Sequence, residues 1–308
     1  MALSRFLVPV KDGKPDLPKT VKVVDVDLRG NVAEVVVDAK GAKYLRGRRY
    51  AREITLPRRH ISVSQVNTYL RCPLQYFWRY EEGLKVPPTS ALTFGSVTHK
   101  AIEHNYKHKV EAREDLPVDE VKEVWADEWD KRVSETQFEE GEKPGEIKDE
   151  GVRIAALYMK EVAPSVQPVI VEGEFDLPLE NLDYTLKGIV DVVDEQSIIH
   201  DTKTSKRTPT EDSIYHDLQM TMYSLGHRTL LGIEESGLRM DYLIRTKTPK
   251  TVSLAAPPRQ QKDIDRLLKL ISYVARAIRD QLYYPNPHNF MCHPNSCGYW
   301  NICHERWR

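Results

Sequence analysis

Valine alternates with polar residues near the start of the chain and then gives way to helical spacing. Val21, Val23 and Val24, then Val32, Val35, Val36 and Val37, flank the turn-like Arg29-Gly30-Asn31, which predicts strands over 20–56. From Ser62 the apolar period lengthens. Ser64 is placed to cap a helix carrying Val66, Tyr69 and Leu70, and Pro73 and Gly83 suit the start and end of the next. Further helices are predicted over 96–109, over 118–135 from Val118, Val121, Trp125 and Trp129, and over 147–162. An acidic stretch with two glycines and a proline, 139–150, separates the last two.

Beyond 162 the period falls to two. Strands are predicted over 168–178, 184–193 and 197–203, a helix over 213–231, and strands over 238–245 and 251–255. A long helix from Pro258 to about Leu282 carries Ile264, Leu267, Leu268, Ile271, Val274 and Ile278 on its buried face. This order predicts an α/β (α+β) core over 61–308, a mixed central sheet flanked by helices, preceded by a small β-rich appendage over 1–60.

Composition and charge narrow the classes. Of the 308 residues, 40% are hydrophobic and 30% charged, enough to bury a core and too few to stay disordered. There is no apolar run of about 18 residues, so no membrane span is expected. The start shows no signal peptide, so the expected compartment is the cytoplasm. A net charge of -1 excludes a uniformly basic coat protein. Yet residues 111–150 hold 16 acidic against 6 basic residues, so the remainder is net positive. Basic groups recur at Arg46, Arg48, Arg49 and Arg52, at Lys203, Lys206 and Arg207, and at Arg245, Lys247 and Lys250. The plain reading of any one group is a solvated face. No Gly-x4-Gly-Lys-Ser/Thr loop is present.

The candidate chemistry starts at Asp201-Thr-Lys203, which closes the strand beginning at Ser197. Residues two apart on a strand share a face, so this carboxylate and ammonium project together. Asp191 closes the preceding strand after Lys187-Gly188-Ile189-Val190. If the connection loops out Glu195, Gln196 and Ser197, Asp191 lies opposite Asp201. Two carboxylates so placed repel unless a cation lies between them, and oxygen ligands of this kind suit Mg²⁺ or Mn²⁺. Asp-x-Lys alone is a weak signal, and an ordinary charged hairpin explains it equally well. Its companions add weight: His99 near a helix start with Glu103 one turn on, Gln219 and Tyr223 one turn apart, and Glu172 and Glu174 on the strand before.

A second constellation is thiol-based. Cys292, Cys297 and Cys303 fall within 12 residues, and Cys72 stands far upstream. Four thiolates can hold Zn²⁺ or an iron–sulfur cluster, and His293 and His304 leave a mixed zinc site open.

In order and spacing, the set Gly95-x3-His99, the Glu-bearing strand 172–176, Gly188-Ile-Val-Asp191, Asp201-x-Lys203 and Gln219-x3-Tyr223 resembles the RecB-like branch of the PD-(D/E)XK nuclease superfamily over residues 61–308. The resemblance implies a restriction-endonuclease-like core. It implies that His99, Asp191 and Asp201 bind Mg²⁺ or Mn²⁺ and that Lys203 positions the attacking water. Gln219 and Tyr223 would organise the site and contact DNA, and Glu174 or Glu172 would serve as the upstream acid. One cysteine upstream and three clustered late resembles the iron–sulfur members, such as AddB nuclease domains and CRISPR-associated RecB-like nucleases. That implies a 4Fe-4S cluster held by Cys72, Cys292, Cys297 and Cys303. Four residues separate Cys292 from Cys297 where relatives commonly have two.

Lys206 and Arg207 are the expected phosphate contacts. In the aromatic run Tyr76–Tyr80, inward packing is favoured over base stacking. The expected function is metal-dependent cleavage of DNA, exonucleolytic on single-stranded ends, in recombination, repair or phage- or CRISPR-related processing beside a helicase or recombination partner. The alternatives are a catalytically silent DNA-binding module with a metal staple and a zinc-stapled endonuclease. Oligomeric state and the role of residues 1–60 stay open.

Overall fold

The computed structural model describes residues 4–29, 32–46, 48, 50–54, 59–179 and 184–307. The chain divides into two units, Met1–Ile61 with Asp176–Lys187, and Ser62–Phe175 with Gly188–Arg308.

In the first unit the alternating valines form an antiparallel sheet. Strands β1 (Ser4–Lys11), β2 (Lys14–Pro15), β3 (Val23–Arg29) and β4 (Val32–Val37) lie in the order β2-β1-β4-β3, and β5 (Arg52–Ile54) pairs with β1. Asp12 and Gly13 both take positive φ, 50° and 72°, the backbone that a two-residue hairpin between β1 and β2 requires. Helix α1 (Ala39–Leu45) closes the inner face, and Phe6, Val8, Ala33, Val35 and Val37 pack with its Ala42 and Leu45. A Cβ on Gly41 would sit 2.9 Å from Val37 Cβ, so glycine is what lets α1 approach so closely. The apolar periodicity did not reveal β1 or α1. Seven residues span about two turns, too few to establish a helical period. Of the predicted turn, Gly30 and Asn31 lie outside the described residues, as does Arg49. This unit also holds β6 (Arg59–Ile61) and the outer ends of β7 (Pro168–Leu179) and β8 (Tyr184–Asp194). There β6 runs parallel to Tyr184–Leu186.

The second unit is the α/β core with the predicted mixed sheet. β9 (Ile198–Ser205) is antiparallel to β8 and parallel to β10 (Gly237–Ile244), which is antiparallel to β11 (Lys250–Ala256). β7 pairs with β8. Helix α2 (Val63–Arg71) begins at Ser62, not at Ser64. The Ser62 hydroxyl accepts from Gln65 N, and Gln65 Oε1 accepts from Ser62 N, so the reciprocal cap fixes the start two residues early. Helix α3 (Pro73–Tyr76) runs on into a π-helical turn, Phe77–Glu81, and α4 (Ser90–Ala112) starts earlier than predicted because Thr89 caps it. With α5 (Val118–Arg132) and α6 (Pro144–Glu161), α4 encloses a core of Phe94, Val97, Ala101, Tyr106, Trp125, Trp129, Ile154 and Tyr158. A Cβ on Gly151 would overlap the Trp125 ring, so that glycine seats α6 on α5.

The helix predicted over 213–231 is two, α7 (Ser213–His216) and α8 (Leu218–Leu231). Asp217 between them is extended, and its carboxylate accepts from Met220 N. A capping acid ended the helical run where apolar spacing alone continued it. Helix α9 (Gln261–Arg279) buries Ile264, Leu267, Ile271, Val274 and Ile278, and Leu268 is half-buried. A short α10 (Trp300–Arg306) forms in the tail, where no element was predicted. Among the described residues no helix is long and apolar enough to cross a membrane.

Candidate active site

Strand register brings the acidic pair together. Val192 pairs with His200 and Val193 with Ile199, so one more step places Asp191 opposite Asp201. Lys203, two residues on, projects beside Asp201, with Nζ 3.1 Å from Oδ1 and 3.0 Å from Oδ2. Lys203 also donates to Gln219 Oε1, Gln219 Nε2 donates to the Tyr223 hydroxyl, and that hydroxyl donates to Asp191 Oδ1. Asp191 Oδ2 lies 3.5 Å from His99 Nδ1. Six side chains from four separate stretches thus form one connected set.

The positions of α4 and α8 follow from packing. Gln219 and Tyr223 are four apart and share one face of α8. That helix sits close to the sheet because Phe175 occupies the space that a Cβ on either Gly188 or Gly226 would need. Its start is clamped by buried Arg259, whose guanidinium donates to Thr221 Oγ1 and to the Ile214 carbonyl. Glu235, also buried, accepts from Arg259 N and from both Nε and Nη2 of Arg228. On the other side, Gly95 of α4 faces Thr204 of β9, a Cβ there coming within 3.5 Å of Oγ1. This brings His99, one turn on, beside the strand pair.

The electrostatics are those of a charge cluster with a missing counter-charge. Burial, then the neighbouring Asp191, push the Asp201 carboxyl up to about 8, against the pull of Lys203. Asp201 Oδ2 is fully buried and accepts no hydrogen bond, although it lies near the ammonium. Burial works against the Lys203 charge, but Asp201 outweighs it and the lysine pKa rises. The surroundings of His99 disfavour its charged form more than Asp191 favours it, so its pKa falls even though the side chain is 37% exposed. Tyr223 is raised well above the usual phenol range by burial and by Asp191.

The two upstream acids part company. Glu172 lines a small cavity with His99, Glu103, Asp191, His200 and Thr202, whereas Glu174 is exposed and outside it. Glu172 takes φ 53°, a left-handed backbone that breaks the strand's alternation. Burial, then Asp191 and Glu103, push its carboxyl up to about 7. Lys206 and Arg207 sit on the exposed stretch after β9, apart from the network, and Lys206 approaches Glu142 at 4.0 Å.

His200 is not among the candidates named from the sequence. Its ring is buried between Asp194 Oδ2, at 2.9 Å, and Asp241 Oδ2, at 3.9 Å. Burial opposes its charge, but these acids prevail and raise its pKa. Asp194 also accepts from Gln196 N and Ile198 N, so it shapes the turn that sets the β8–β9 register. The signal available was the Asp-x5-His spacing across that turn.

The four cysteines are unpaired and line one cavity with Arg71, Leu74, Trp78, Tyr299 and Trp300. Burial raises the Cys297 and Cys303 thiols, and the neighbouring cysteines raise them further. The aromatic run packs inward here: Tyr76 and Trp78 are buried, and Tyr76 stacks on Tyr283 at 6.3 Å. Among the described residues no three His, Cys, Asp or Glu groups converge tightly enough to hold a metal as they stand. In the acidic site the reason is visible, since Asp201 is turned to Lys203 and Asp191 to Tyr223.

No curated protein matches the chain. Thirteen solved chains do. One is a protein described as a "putative exonuclease" from Eubacterium rectale, with a TM-score of 0.53 and 10% identity over 81% of this chain and 88% of that one. Another, SSO0001, covers 80% of this chain and 96% of its own at 13% identity, with a TM-score of 0.32. The first supports the fold. The sequence pattern of the PD-(D/E)XK nuclease superfamily matches residues 60–304, the stretch that carries every side chain of the network. The chain therefore belongs to the PD-(D/E)XK nuclease superfamily.

Proposed function

We propose that the chain is a metal-dependent deoxyribonuclease that hydrolyses phosphodiester bonds, acting as an exonuclease on single-stranded ends in DNA recombination, repair or phage- or CRISPR-related processing. The observation that carries this is Asp201: a buried carboxylate opposite a second one, with the Lys203 ammonium at both of its oxygens. That donor set fits a hard divalent cation. Asp191 and Asp201 would hold Mg²⁺ or Mn²⁺, with His99 and Glu172 at the rim. Such an ion supplies charge neutralisation at the phosphate and acidifies water.

The remaining work falls to side chains already in place. Lys203 keeps its proton at neutral pH, so it orients the attacking water and offsets charge on the phosphate and does not act as the base. An ammonium has three donors. Asp201 and Gln219 engage two of them, which leaves one for water or a phosphate oxygen. Tyr223 and His99 hold Asp191 from either oxygen. Gln219 links the two halves, so a strand phosphate seated there meets a site already oriented. Lys206 and Arg207 would guide the backbone as sequence-independent contacts.

For the cysteines, a 4Fe-4S cluster acting as a staple is the reading we favour. Its support is the shared cavity and the mutual crowding of the thiols, which a bound cation relieves. Iron and sulfide content with absorbance near ~400 nm supports it, and one zinc per chain without colour replaces it.

The test of the function is cleavage of end-labelled single-stranded and circular DNA by anaerobically purified protein, with Mn²⁺, Mg²⁺ or chelator. Metal-dependent cleavage lost in both Asp201→Ala and Lys203→Ala, with the circle resistant, is the expected result. Cleavage surviving both substitutions, or none in the native chain, overturns it and favours a silent DNA-binding module.

A further inference from the structure

The first unit carries a charged, aromatic patch that the cleavage chemistry does not use. Between residues 40 and 59 the sequence holds eight lysines and arginines against one acid, Glu53. The part that α1 and the following loop display can be described residue by residue. Lys40, Lys43, Arg46, Arg48 and Tyr50 are exposed. The Arg48 guanidinium lies over the Tyr44 ring, 4.7 Å from its centroid, and Arg48 Nε donates to the Tyr44 carbonyl. Tyr50 keeps 41% of its surface open. Two acids lie near. Asp38 turns its carboxylate back on Gly41 N at the start of α1, and Asp16 is within electrostatic reach of Tyr50. Among the described residues no carboxylate pairs with Lys40, Lys43 or Arg48.

Ordinary surface lysines and arginines extend into water and are interleaved with acids. Here a guanidinium lies over one ring, a second tyrosine stands exposed two residues on, and the cations outnumber the nearby acids. A ring held open beside a planar cation offers an apolar face to another π-system, while the cations draw phosphate. Duplex DNA buries its base faces in the stack, whereas a single strand exposes them.

We propose that Tyr44, Arg48 and Tyr50, with Lys40 and Lys43, form a second nucleic-acid site, which takes single-stranded DNA or RNA by stacking an unpaired base on Tyr50 and pairing phosphates with the cations. This reading goes beyond the proposed cleavage and does not depend on it.

The test is fluorescence anisotropy of a labelled twenty-nucleotide oligothymidine, and of a duplex of the same length, with the full chain in chelator so that nothing is cut. Tyr50→Ala should weaken the single strand about tenfold, within the range for loss of one base–aromatic stack, and leave the duplex within about twofold. Tyr50→Phe, which keeps the ring and loses the hydroxyl, should bind like the native chain. The double variant Lys43→Glu with Arg48→Glu should weaken both ligands and flatten the salt dependence for the single strand by about 0.7 for each phosphate no longer neutralised. Unchanged affinity and salt slope in all three variants overturns the site. So does a Tyr50→Ala loss that is equal for duplex and single strand, or a Tyr50→Phe loss as large as that of Tyr50→Ala. Because binding is read without metal, a chain that cuts nothing can still show the site, and a chain that cuts well can still lack it.

Discussion

The acidic network and the cysteine cavity are opposite solutions to holding charge inside one unit. In the network every side chain has a protein partner: Lys203 pairs with Asp201, and Gln219 and Tyr223 relay hydrogen bonds from that lysine to Asp191. Its geometry is set by strand register and by α8, with no need of an added ion. In the cavity four thiols face one another, and what they share is mutual repulsion on ionisation. Arg71 lines that cavity and offsets this only in part, at Cys297. On the proposed reading the first arrangement is pre-organised and would take a cation for chemistry, and the second would take one for cohesion.

That contrast breaks most clearly on activity. Asp201→Asn should lower the cleavage rate by about 10²–10⁴-fold, read as initial rates on labelled single-stranded DNA with Mn²⁺. The same variant should not destabilise the metal-free fold. A carboxyl whose folded pKa is about 8, above its unfolded value, binds more protons when folded, so stability drains away as pH rises from about 4 toward 8. At pH 8 without metal, Asp201→Asn should therefore melt at or above the native temperature. A clear fall in melting temperature would mean that the network depends on the carboxylate for cohesion, and the comparison would fail.

The cysteines should behave in reverse. Cys303→Ala should cost about 2–5 kcal/mol, as loss of a long-range cross-link does, measured by thermal or urea unfolding under anaerobic conditions. The molecules that stay folded should keep their rate. If stability is unchanged and iron is absent, the thiols are ordinary buried side chains.

A smaller effect sharpens the acidic site. Because Asp201 and Glu172 hold protons up to about 8 and about 7, cation uptake must displace them. Apparent Mn²⁺ affinity should rise by about sixtyfold between pH 6.5 and 8, and calorimetry in buffers of different ionisation enthalpy should show proton release. An affinity flat across that window would mean that both acids are already ionised. Smallest is the split between the upstream acids. Glu172→Gln should weaken Mn²⁺ binding several-fold and Glu174→Gln should leave it unchanged. The reverse order would move the rim of the site to the exposed face.

These expectations also mark how far the sequence could be read. The pairing of Asp191 with Asp201 was legible because the length of the turn between the two strands fixes the register. The mixed sheet and the long amphipathic α9 followed from their periods in the same way. The choice between Glu172 and Glu174 was not legible, because two positions apart on a regular strand are equivalent. A single positive φ, invisible in the residue pattern, separates them. The break at Asp217 was hidden by apolar spacing on both sides, and β1 and α1 by brevity and by an apolar start that resembled nothing in particular. The clamp formed by Arg259 and Glu235 carries no spacing rule, since its partners lie 24–45 residues apart.

The cysteine cavity is also where distant parts of the chain meet by hydrogen bonds. The Tyr69 hydroxyl donates to the Leu282 carbonyl, Leu74 N to the Tyr284 carbonyl, and the Tyr299 hydroxyl to the Leu84 carbonyl, across gaps of more than 200 residues. Pairings of such sequence separation are slow to form, because the loop must close before any of them can stabilise it. The β8–β9 hairpin that carries both aspartates and the lysine is local by comparison. Refolding should therefore assemble the acidic pair early and seal the ends late, leaving an interval in which Cys72 and the three late cysteines are apart and each is open to oxidation.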